Sequence, residues 1–214
     1  MEEQIQIFEP TKKSANLVLV AITVLVFFVM QFWEKSVTEG TFYGHTTAFL
    51  LEHGALYGPG IRQGEWYRLV THMFLHGDIG HLGNNMLILF CLGNALEHYV
   101  GRISYVSVYF LSGILAGLGS VVYNTTGTVS VGASGAVFGV VGAMACLVLK
   151  NRGRLEGFTG RRMIVFILLS VYAGFSDQGV DNAAHVAGLL AGFLLAIPLC
   201  RKRSIVSNET EDFL

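Results

Sequence analysis

Residues 132–149 read GASGAVFGVVGAMACLVL, an apolar run that has no charged residue and a single serine near its start. Gly135, Gly139 and Gly142 lie three or four residues apart, a spacing that lets the backbones of neighbouring membrane helices approach closely. As a helix, the 16 residues 134–149 would reach only about 24 Å, less than the roughly 30 Å hydrocarbon core of a bilayer. The stretch therefore predicts a short central helix that longer helices surround.

The composition of the whole chain is typical of a membrane protein. Of its 214 residues, 52% are hydrophobic and only 14% are charged, against about 25% charged residues in a soluble globular domain. This composition excludes a disordered chain, a collagen-like repeat and a coiled coil, and it leaves few polar side chains to cover a soluble surface. The net charge of −1 gives no general attraction to nucleic acid, so no nucleic-acid partner is expected.

Five further apolar runs accompany residues 134–149, which makes six predicted spans. A run of about 20 apolar residues is long enough to cross a bilayer as a helix, and the fourth and fifth runs are shorter than that. No small-residue cleavage site follows the first run, so its removal as a signal peptide is not expected. The predicted spans are residues 15–33, 79–99, 103–123, 134–149, 163–175 and 183–200.

Six spans place both ends of the chain on one side of the membrane, and the positive charges indicate which side. Lys and Arg accumulate in the cytoplasmic segments of membrane proteins. With a cytoplasmic N-terminus, 11 of the 14 Lys and Arg lie inside, and only Lys35, Arg62 and Arg68 lie outside. The sequence thus predicts a cytoplasmic segment 1–14, one membrane domain 15–200 and a polar cytoplasmic tail 201–214.

A few strongly polar side chains interrupt the predicted spans, where such groups are costly and usually functional or paired. His81 and Asn85 lie in the first two turns of the second span. Ser134 begins the fourth span, and His185 lies about one turn into the sixth. Because all three spans enter from the outside, these four side chains are expected at one depth near the outer face. Glu97 lies at the other end of the second span and is interpreted as a polar anchor between helices.

A serine and a histidine at one depth favour acyl-transfer chemistry. A serine hydroxyl becomes an effective nucleophile when a base accepts its proton, and histidine is the usual base, so Ser134 and His185 form a candidate dyad. The backbone N–H of Ser134, at a helix start, has no intrahelical partner and can face an oxyanion. His81 and Asn85 lie four residues apart on one helix face and can donate to the same oxyanion. Gly135 leaves room for the incoming carbonyl group.

Each of these residues also has a purely structural interpretation. Ser134 alone is typical of a helix N-cap, His185 of a satisfied polar residue in a core, and Asn85 of a hydrogen bond between helices. Asp181 precedes His185 by four residues. Its carboxylate can either orient the imidazole or cap the sixth helix, and the cap is favoured.

Five motifs follow one another along the chain. They are WYRLVTHMFLH at 66–76, HLGNN at 81–85, GNALEHYVG at 93–101, GASG at 132–135 and AHVAGLLAG at 184–192. The first resembles the tryptophan–arginine and histidine-rich part of the first loop of the rhomboid family of intramembrane serine proteases. The others are similar to that family's HxxxN, GxxxExxxG, GxSG and AHxxGxxxG motifs. The resemblance covers about residues 15–200, and the order of the motifs on six predicted spans makes it specific.

The resemblance implies a role for each matched residue. Ser134 would be the nucleophile, and His185 the general base that later protonates the leaving amine. His81 and Asn85 would form the oxyanion hole with the Ser134 backbone N–H. Phe138 takes a position whose ring packs against the catalytic histidine and where many relatives have tyrosine. The residues that support the site would be Phe138, Gly132 and Gly135.

The resemblance also implies an all-α membrane fold. A six-transmembrane-helix bundle would have a long membrane-associated first loop, residues 34–78, and a short central fourth helix. The fifth helix and residues 176–180 would form a lateral gate and a cap. Arg68 in the first loop is interpreted either as a paired residue or as a contact to lipid headgroups.

The implied activity is hydrolysis of peptide bonds in or next to transmembrane segments of single-pass proteins, near the extracytoplasmic face. The implied partners are transmembrane protein substrates and the lipid bilayer. The small size of the chain and the lack of a eukaryotic targeting segment favour a bacterial inner membrane as its location. No metal or cofactor is expected, because His72 and His76 lack the glutamate of an HExxH motif and are interpreted as hydrogen-bonding residues of the first loop. There are two alternatives to a protease. One is a catalytically inactive relative that binds membrane helices, and the other is a transporter that uses intramembrane His and Asn side chains as a proton or ion path.

Overall fold

The computed structural model describes residues 14–34, 44–124, 127–155, 158–176 and 179–199. The chain is mostly helical, and the first long helix, α1, is Ala15–Glu34. Short elements follow it in the first loop. They are α2 (Thr47–Glu52), β1 (Leu56–Tyr57), α3 (Gly58–Arg62), α4 (Arg68–Thr71) and the 3-10 turn His72–Phe74.

The remaining helices contain the other predicted spans. Helices α5 (Ile79–Ile88) and α6 (Asn94–Val100) are joined by a π-helical turn, Leu89–Gly93, into one continuous helix. Each predicted span begins within three residues of the first residue of a helix and ends within three residues of its last residue. The predicted segment 1–14 and tail 201–214 lie, apart from Ser14, outside the described residues. The later helices are α7 (Arg102–Tyr123), α8 (Ser134–Lys150), α9 (Gly160–Ser176) and α10 (Asn182–Leu199).

Length and hydropathy divide these helices into two groups. Among the described residues, α1, the continuous helix α5–α6 and α7 are long and apolar enough to cross a membrane. Helix α8 and residues Asn182–Pro198 of α10 are apolar but shorter. The prediction of a short fourth helix is thus confirmed, with 17 residues in α8.

Two small antiparallel sheets were not part of the all-α prediction. Strand β1 pairs with β2 (Val129–Ser130), and Leu56 lies opposite Ser130. Strand β3 (Arg154–Leu155) pairs with β4 (Phe158–Thr159) between α8 and α9. Two-residue strands are too short for a sequence pattern to identify them. The first sheet connects the first loop to the segment that leads into α8.

Helix α8 lies at the centre of the bundle, and 13 of its 17 residues are buried. It packs backbone to backbone against α10 through glycines on both helices. A Cβ atom on Gly188 would collide with the carbonyl oxygen of Gly135, and one on Gly192 with that of Gly139. The small-residue spacing therefore serves close helix packing, as predicted.

Glu97 of α6 caps the start of α1. Its carboxylate accepts hydrogen bonds from the Ala15 N–H at 2.8 Å, the Asn16 N–H at 2.9 Å and the Ser14 hydroxyl at 2.7 Å. A carboxylate at this position satisfies N–H groups that lack intrahelical partners and is favoured by the helix dipole. The prediction of a polar anchor between helices is confirmed at Glu97.

Asn16 connects α1 to the π-helical turn. Its amide nitrogen donates to the Leu89 carbonyl at 2.8 Å and to the Asn94 side chain at 2.7 Å. Its amide oxygen accepts from the Tyr105 hydroxyl at 2.5 Å. A side chain that inserts into the hydrogen-bond ladder is one established cause of a local helix distortion. Asn16 therefore joins three helices at the end of the bundle opposite Ser134.

Arg68 organises the first loop from a buried position. Its guanidinium donates to the carbonyl groups of Leu51 and Ala55, both at 2.8 Å, and pairs with Glu65 at 2.6 Å. A buried cation is costly unless its donors are paired, so these bonds fix the loop around it. Of the two interpretations of Arg68, the structure supports the paired residue.

Candidate active site

Ser134 begins α8, directly after a segment that the first loop holds in place. The Gly132 N–H donates to the His72 carbonyl at 2.9 Å, and the Ala133 N–H donates to Nε2 of His76 at 3.4 Å. The Ser134 N–H, in the first turn of the helix, has no intrahelical partner and lies at the positive end of the helix dipole. His76 thus binds the backbone before Ser134 through its imidazole, whereas His72 does so through its backbone carbonyl.

These two histidines are neutral at physiological pH because they are buried. Burial and the neighbouring His81 lower the pKa of His76 to about 3, and burial lowers the pKa of His72 to about 4. A neutral His76 can carry its proton on Nδ1 and accept the Ala133 N–H at Nε2. The backbone before Ser134 therefore keeps this bond across the physiological pH range.

His81 lies directly against the same backbone segment. A Cβ atom on Gly132 would be 2.6 Å from Cε1 and 2.7 Å from Nε2 of His81. Gly132 also has a φ of +120°, which L side chains rarely adopt. Glycine is therefore required at this position for both reasons. The His81 ring also packs edge-on against His76, with the ring centroids 5.0 Å apart.

Asn85 lies one turn after His81 and is 4% exposed. Its amide nitrogen donates to the His81 carbonyl at 3.0 Å. An asparagine amide has two N–H donors, so the second N–H remains for another acceptor. Asn85 thus lies one turn from His81, and one of its two amide N–H groups is bound to the backbone of its own helix.

His185 stacks on Phe138, which lies one turn after Ser134. The two ring centroids are 4.3 Å apart, and the ring planes differ by 13°. A Cβ atom on Gly135 would lie 2.6 Å from Ala116 and 3.9 Å from the Ala184 carbonyl oxygen. Gly135 therefore allows Ala116 of α7 to pack closely against the first turn of α8, while α10 lies at an ordinary contact distance.

Ser134 and His185 are not joined by a hydrogen bond in the described part of the chain. The Nδ1 atom of His185 is buried and has no hydrogen-bond partner there. In resting active sites such bonds are often long and shorten only when substrate binds. The described contacts therefore place His185 against Phe138, one turn from Ser134, without a direct hydrogen bond between His185 and Ser134.

Asp181 caps α10, as favoured from the sequence. Its Oδ1 accepts the Ala184 N–H at 3.0 Å. The carboxylate also accepts hydrogen bonds from Ser130, Asn124 and Ser120. Sequence reasoning missed these three donors, because they precede Asp181 by more than 50 residues and no local pattern marks them.

A groove of about 900 Å³ lies beside Asp181, between α7 and the first half of α10. Leu118, Val122, Val186 and Leu190 form part of its apolar wall. Ser134 and His185 do not line this groove. The described residues contain no group of three His, Cys, Asp or Glu side chains that could hold a metal ion.

These features define a helical membrane protein with polar groups from three helices gathered at one end of its bundle. Residues 63–202 match the family of the rhomboid domain. The chain therefore belongs to the rhomboid family, and it is an integral membrane protein.

Known relatives agree with this assignment. The Rhomboid protease GluP of Bacillus subtilis (strain 168) is 33% identical over 193 residues, which cover 90% of this chain and 36% of GluP. The Putative rhomboid protease YdcA of the same organism is 36% identical over 148 residues, or 69% of this chain and 74% of YdcA. The RHOMBOID-like protein 5 of Arabidopsis thaliana is 37% identical over 168 residues, or 77% of this chain and 54% of that protein. The chain thus spans little more than a third of GluP.

Proposed function

We propose that this chain is an intramembrane serine endopeptidase with Ser134 and His185 as its catalytic dyad. The observation that carries the proposal is the stack of His185 on Phe138, one turn from Ser134, on two helices whose backbones touch at glycines. Its relative GluP, which is named as a rhomboid protease, supports the same reaction class.

In the first step, the Ser134 hydroxyl oxygen attacks the carbonyl carbon of the scissile peptide bond. His185 accepts the hydroxyl proton as the C–O bond forms. The carbonyl electron pair moves to the oxygen and creates an oxyanion. The Ser134 N–H at the positive end of α8, His81 and the second N–H of Asn85 are the proposed donors to it.

In the second step, protonated His185 gives its proton to the leaving amine as the C–N bond breaks. The product is an acyl ester on Ser134. A water molecule then attacks this ester and passes a proton to His185, which returns it to Ser134. Gly132, Gly135 and Phe138 support these steps by leaving room for His81 and the substrate and by restraining the His185 ring.

The membrane arrangement belongs to the same proposal. Residues 15–200 form a six-helix domain with both termini in the cytoplasm, because 11 of the 14 Lys and Arg lie in the segments on that side. The site then lies near the extracytoplasmic face of what we infer to be a bacterial inner membrane. Single-pass proteins whose transmembrane segments unwind near that face are the proposed substrates, since a helical peptide bond is sterically hidden and hydrogen-bonded.

A catalytically inactive protein that only binds membrane helices is the second candidate function. The presence of both Ser134 and His185 favours the protease.

Cleavage of a reporter tests the proposal. The purified chain is reconstituted into liposomes with a generic single-pass membrane protein, and the cleavage products are quantified. Wild type should cleave, while Ser134→Ala and His185→Ala should reduce cleavage to the background. Ser104→Ala, which removes a hydroxyl from α7 outside the site, is the matched control and should retain full activity.

A fluorophosphonate probe gives a second readout that does not depend on the choice of reporter. Wild type and Ser104→Ala should be labelled on Ser134, and Ser134→Ala should not. Equal cleavage by wild type and both site variants, or labelling that persists in Ser134→Ala, would overturn the proposal.

A further inference from the structure

Ser130 and Asp181 are joined by a hydrogen bond of 2.6 Å. Ser130 lies four residues before Ser134, and Asp181 lies four residues before His185. The bond therefore connects the segment that leads into α8 with the segment that leads into α10. Of the two residues proposed as the catalytic dyad, Ser134 begins α8 and His185 lies in the first turn of α10, on either side of this bond.

The carboxylate of Asp181 is occupied by donors from several elements. Its Oδ1 accepts the Ala184 N–H at 3.0 Å and the Asn124 amide at 3.2 Å. Its Oδ2 accepts the hydroxyl groups of Ser130 and Ser120. These donors come from β2, from α7 and its C-terminal end, and from the first turn of α10. His185 contributes none of them, and its Nδ1 has no partner among the described residues, so Asp181 is not the third member of a triad in this structure.

The contact between α8 and α10 explains why such a connection is needed. At Gly188 and Gly192, the backbone of α10 lies directly on Gly135 and Gly139 of α8. Glycine contacts permit close approach, but the glycines themselves carry no side chain that could resist sliding of one helix along the other. Directional hydrogen bonds at the ends of the two helices can supply the missing restraint.

We propose that Asp181 is a positioning residue for the Ser134–His185 pair, an inference that rests on the proposed function. By capping α10 and binding Ser130, the Asp181 carboxylate fixes the position of α10 along α8. It thereby sets the distance between His185 and Ser134. It acts on the helix end and on β2, and it does not exchange a proton with His185.

Replacement of Asp181 tests this role with a reporter substrate and with the fluorophosphonate probe. Asp181→Ala removes every bond and should lower kcat about ten- to a hundredfold, since displacements of about 1 Å cost activity on this scale. The KM should change less than about twofold, and the labelling rate of Ser134 should fall by the same factor as kcat. Asp181→Asn retains an acceptor for the Ala184 N–H, and the serine hydroxyls can turn to accept from its amide. It should keep kcat within about threefold of wild type and leave the pH profile unchanged.

Two serine variants separate positioning from a general loss of stability. Ser130→Ala and Ser120→Ala each remove one hydroxyl from the same Oδ2 atom, but only Ser130 leads into Ser134. With each rate normalised to the folded fraction, Ser130→Ala should lower kcat more than Ser120→Ala. Equal effects of the two serine variants would overturn the route through β2.

The remaining outcomes also decide between explanations. An Asp181→Asn variant as impaired as Asp181→Ala, with a shifted pH profile, would instead make Asp181 a partner of the imidazole. A folded Asp181→Ala variant with wild-type kcat would overturn the inference alone. An inert wild type would overturn the proposed function and this inference with it.

Discussion

Phe138 and His185 lie face to face, with ring centroids 4.3 Å apart and ring planes that differ by 13°. Phe138 is 7% exposed, so the packing of α8 fixes the plane of its ring. Because Nδ1 of His185 has no hydrogen-bond partner among the described residues, this stack restrains the imidazole in place of a hydrogen bond at that atom. The contact depends on the flat face of residue 138 and not on a hydroxyl.

Substitutions of Phe138 test the importance of that face. Phe138→Leu keeps an apolar side chain but removes the ring, and an aromatic pair contributes roughly 0.5–1.5 kcal/mol. Reporter cleavage should therefore show a kcat about three- to tenfold lower. Phe138→Tyr keeps the face and should stay within about twofold of wild type. Phe110→Leu on α7, away from His185, is the control, and a loss there equal to that of Phe138→Leu would contradict the interpretation.

Glycine at position 192 should be required for the stability of the bundle. A Cβ atom there would collide with the Gly139 carbonyl oxygen and backbone, and overpacking of this kind costs about 1–3 kcal/mol. Gly192→Ala should lower the midpoint of thermal unfolding in detergent and reduce reporter cleavage, because it separates α8 from α10.

A glycine in open space provides the control for that experiment. Gly83 lies in α5, and a Cβ atom built on it meets nothing within 4 Å. Alanine is favoured over glycine in a helix by about 1 kcal/mol, so Gly83→Ala should maintain or raise the unfolding midpoint. Equal unfolding midpoints for Gly192→Ala and Gly83→Ala would contradict a close contact between α10 and α8 at Gly192.

The helices could be predicted from the sequence because apolar runs are continuous and long. Predicted bounds such as 79–99 differ from the observed helix by a single residue at one end. The candidate site could be predicted for a related reason. Strongly polar side chains are rare in spans as apolar as these, so the positions of His81, Asn85, Ser134 and His185 indicate a site. Periodicity and motif spacing carry this kind of information because they are local.

The polar connections between distant segments could not be predicted in the same way. Asn16 contacts Leu89 and Asn94 across more than 70 residues, and nothing near Asn16 indicates those partners. The π-helical turn beside it has the same apolar composition as an ordinary helix. Long-range hydrogen bonds depend on which helices pack together, and hydropathy does not give that order.

The cap that Glu97 forms on α1 should contribute to stability without affecting the chemistry of the site. Hydrogen bonds to charged groups contribute about 1.5–3 kcal/mol, and Glu97 accepts three. Glu97→Gln removes the charge and should lower the free energy of unfolding by about 2 kcal/mol. The kcat of the folded fraction should stay near that of wild type. Glu52→Gln, at an exposed position of α2, should change neither quantity, and a kcat loss confined to Glu97→Gln would indicate that its role extends to the site.

Buried His76 should make the stability of the protein depend on pH. A histidine in an unfolded chain titrates near pH 6.5, whereas the pKa of native His76 is lowered to about 3 by burial and by His81. Between these values the unfolded chain binds a proton that the native protein does not. The free energy of unfolding therefore falls as pH decreases from 6.5 towards 3, by up to about 1.4 kcal/mol per pH unit. His72, with a pKa of about 4, adds a second contribution of the same sign.

Unfolding of wild type and His76→Gln in detergent, measured from pH 7.5 to pH 5, isolates the contribution of His76. The glutamine carbonyl oxygen can still accept the Ala133 N–H but does not titrate. The variant should be somewhat less stable than wild type at pH 7.5, because its shape differs from that of the imidazole. Its stability should fall less steeply below pH 6.5, by the slope of one proton. Equal slopes for the two proteins would mean that His76 binds its proton equally well in the native and unfolded states, and that the bond from Ala133 does not hold the imidazole neutral.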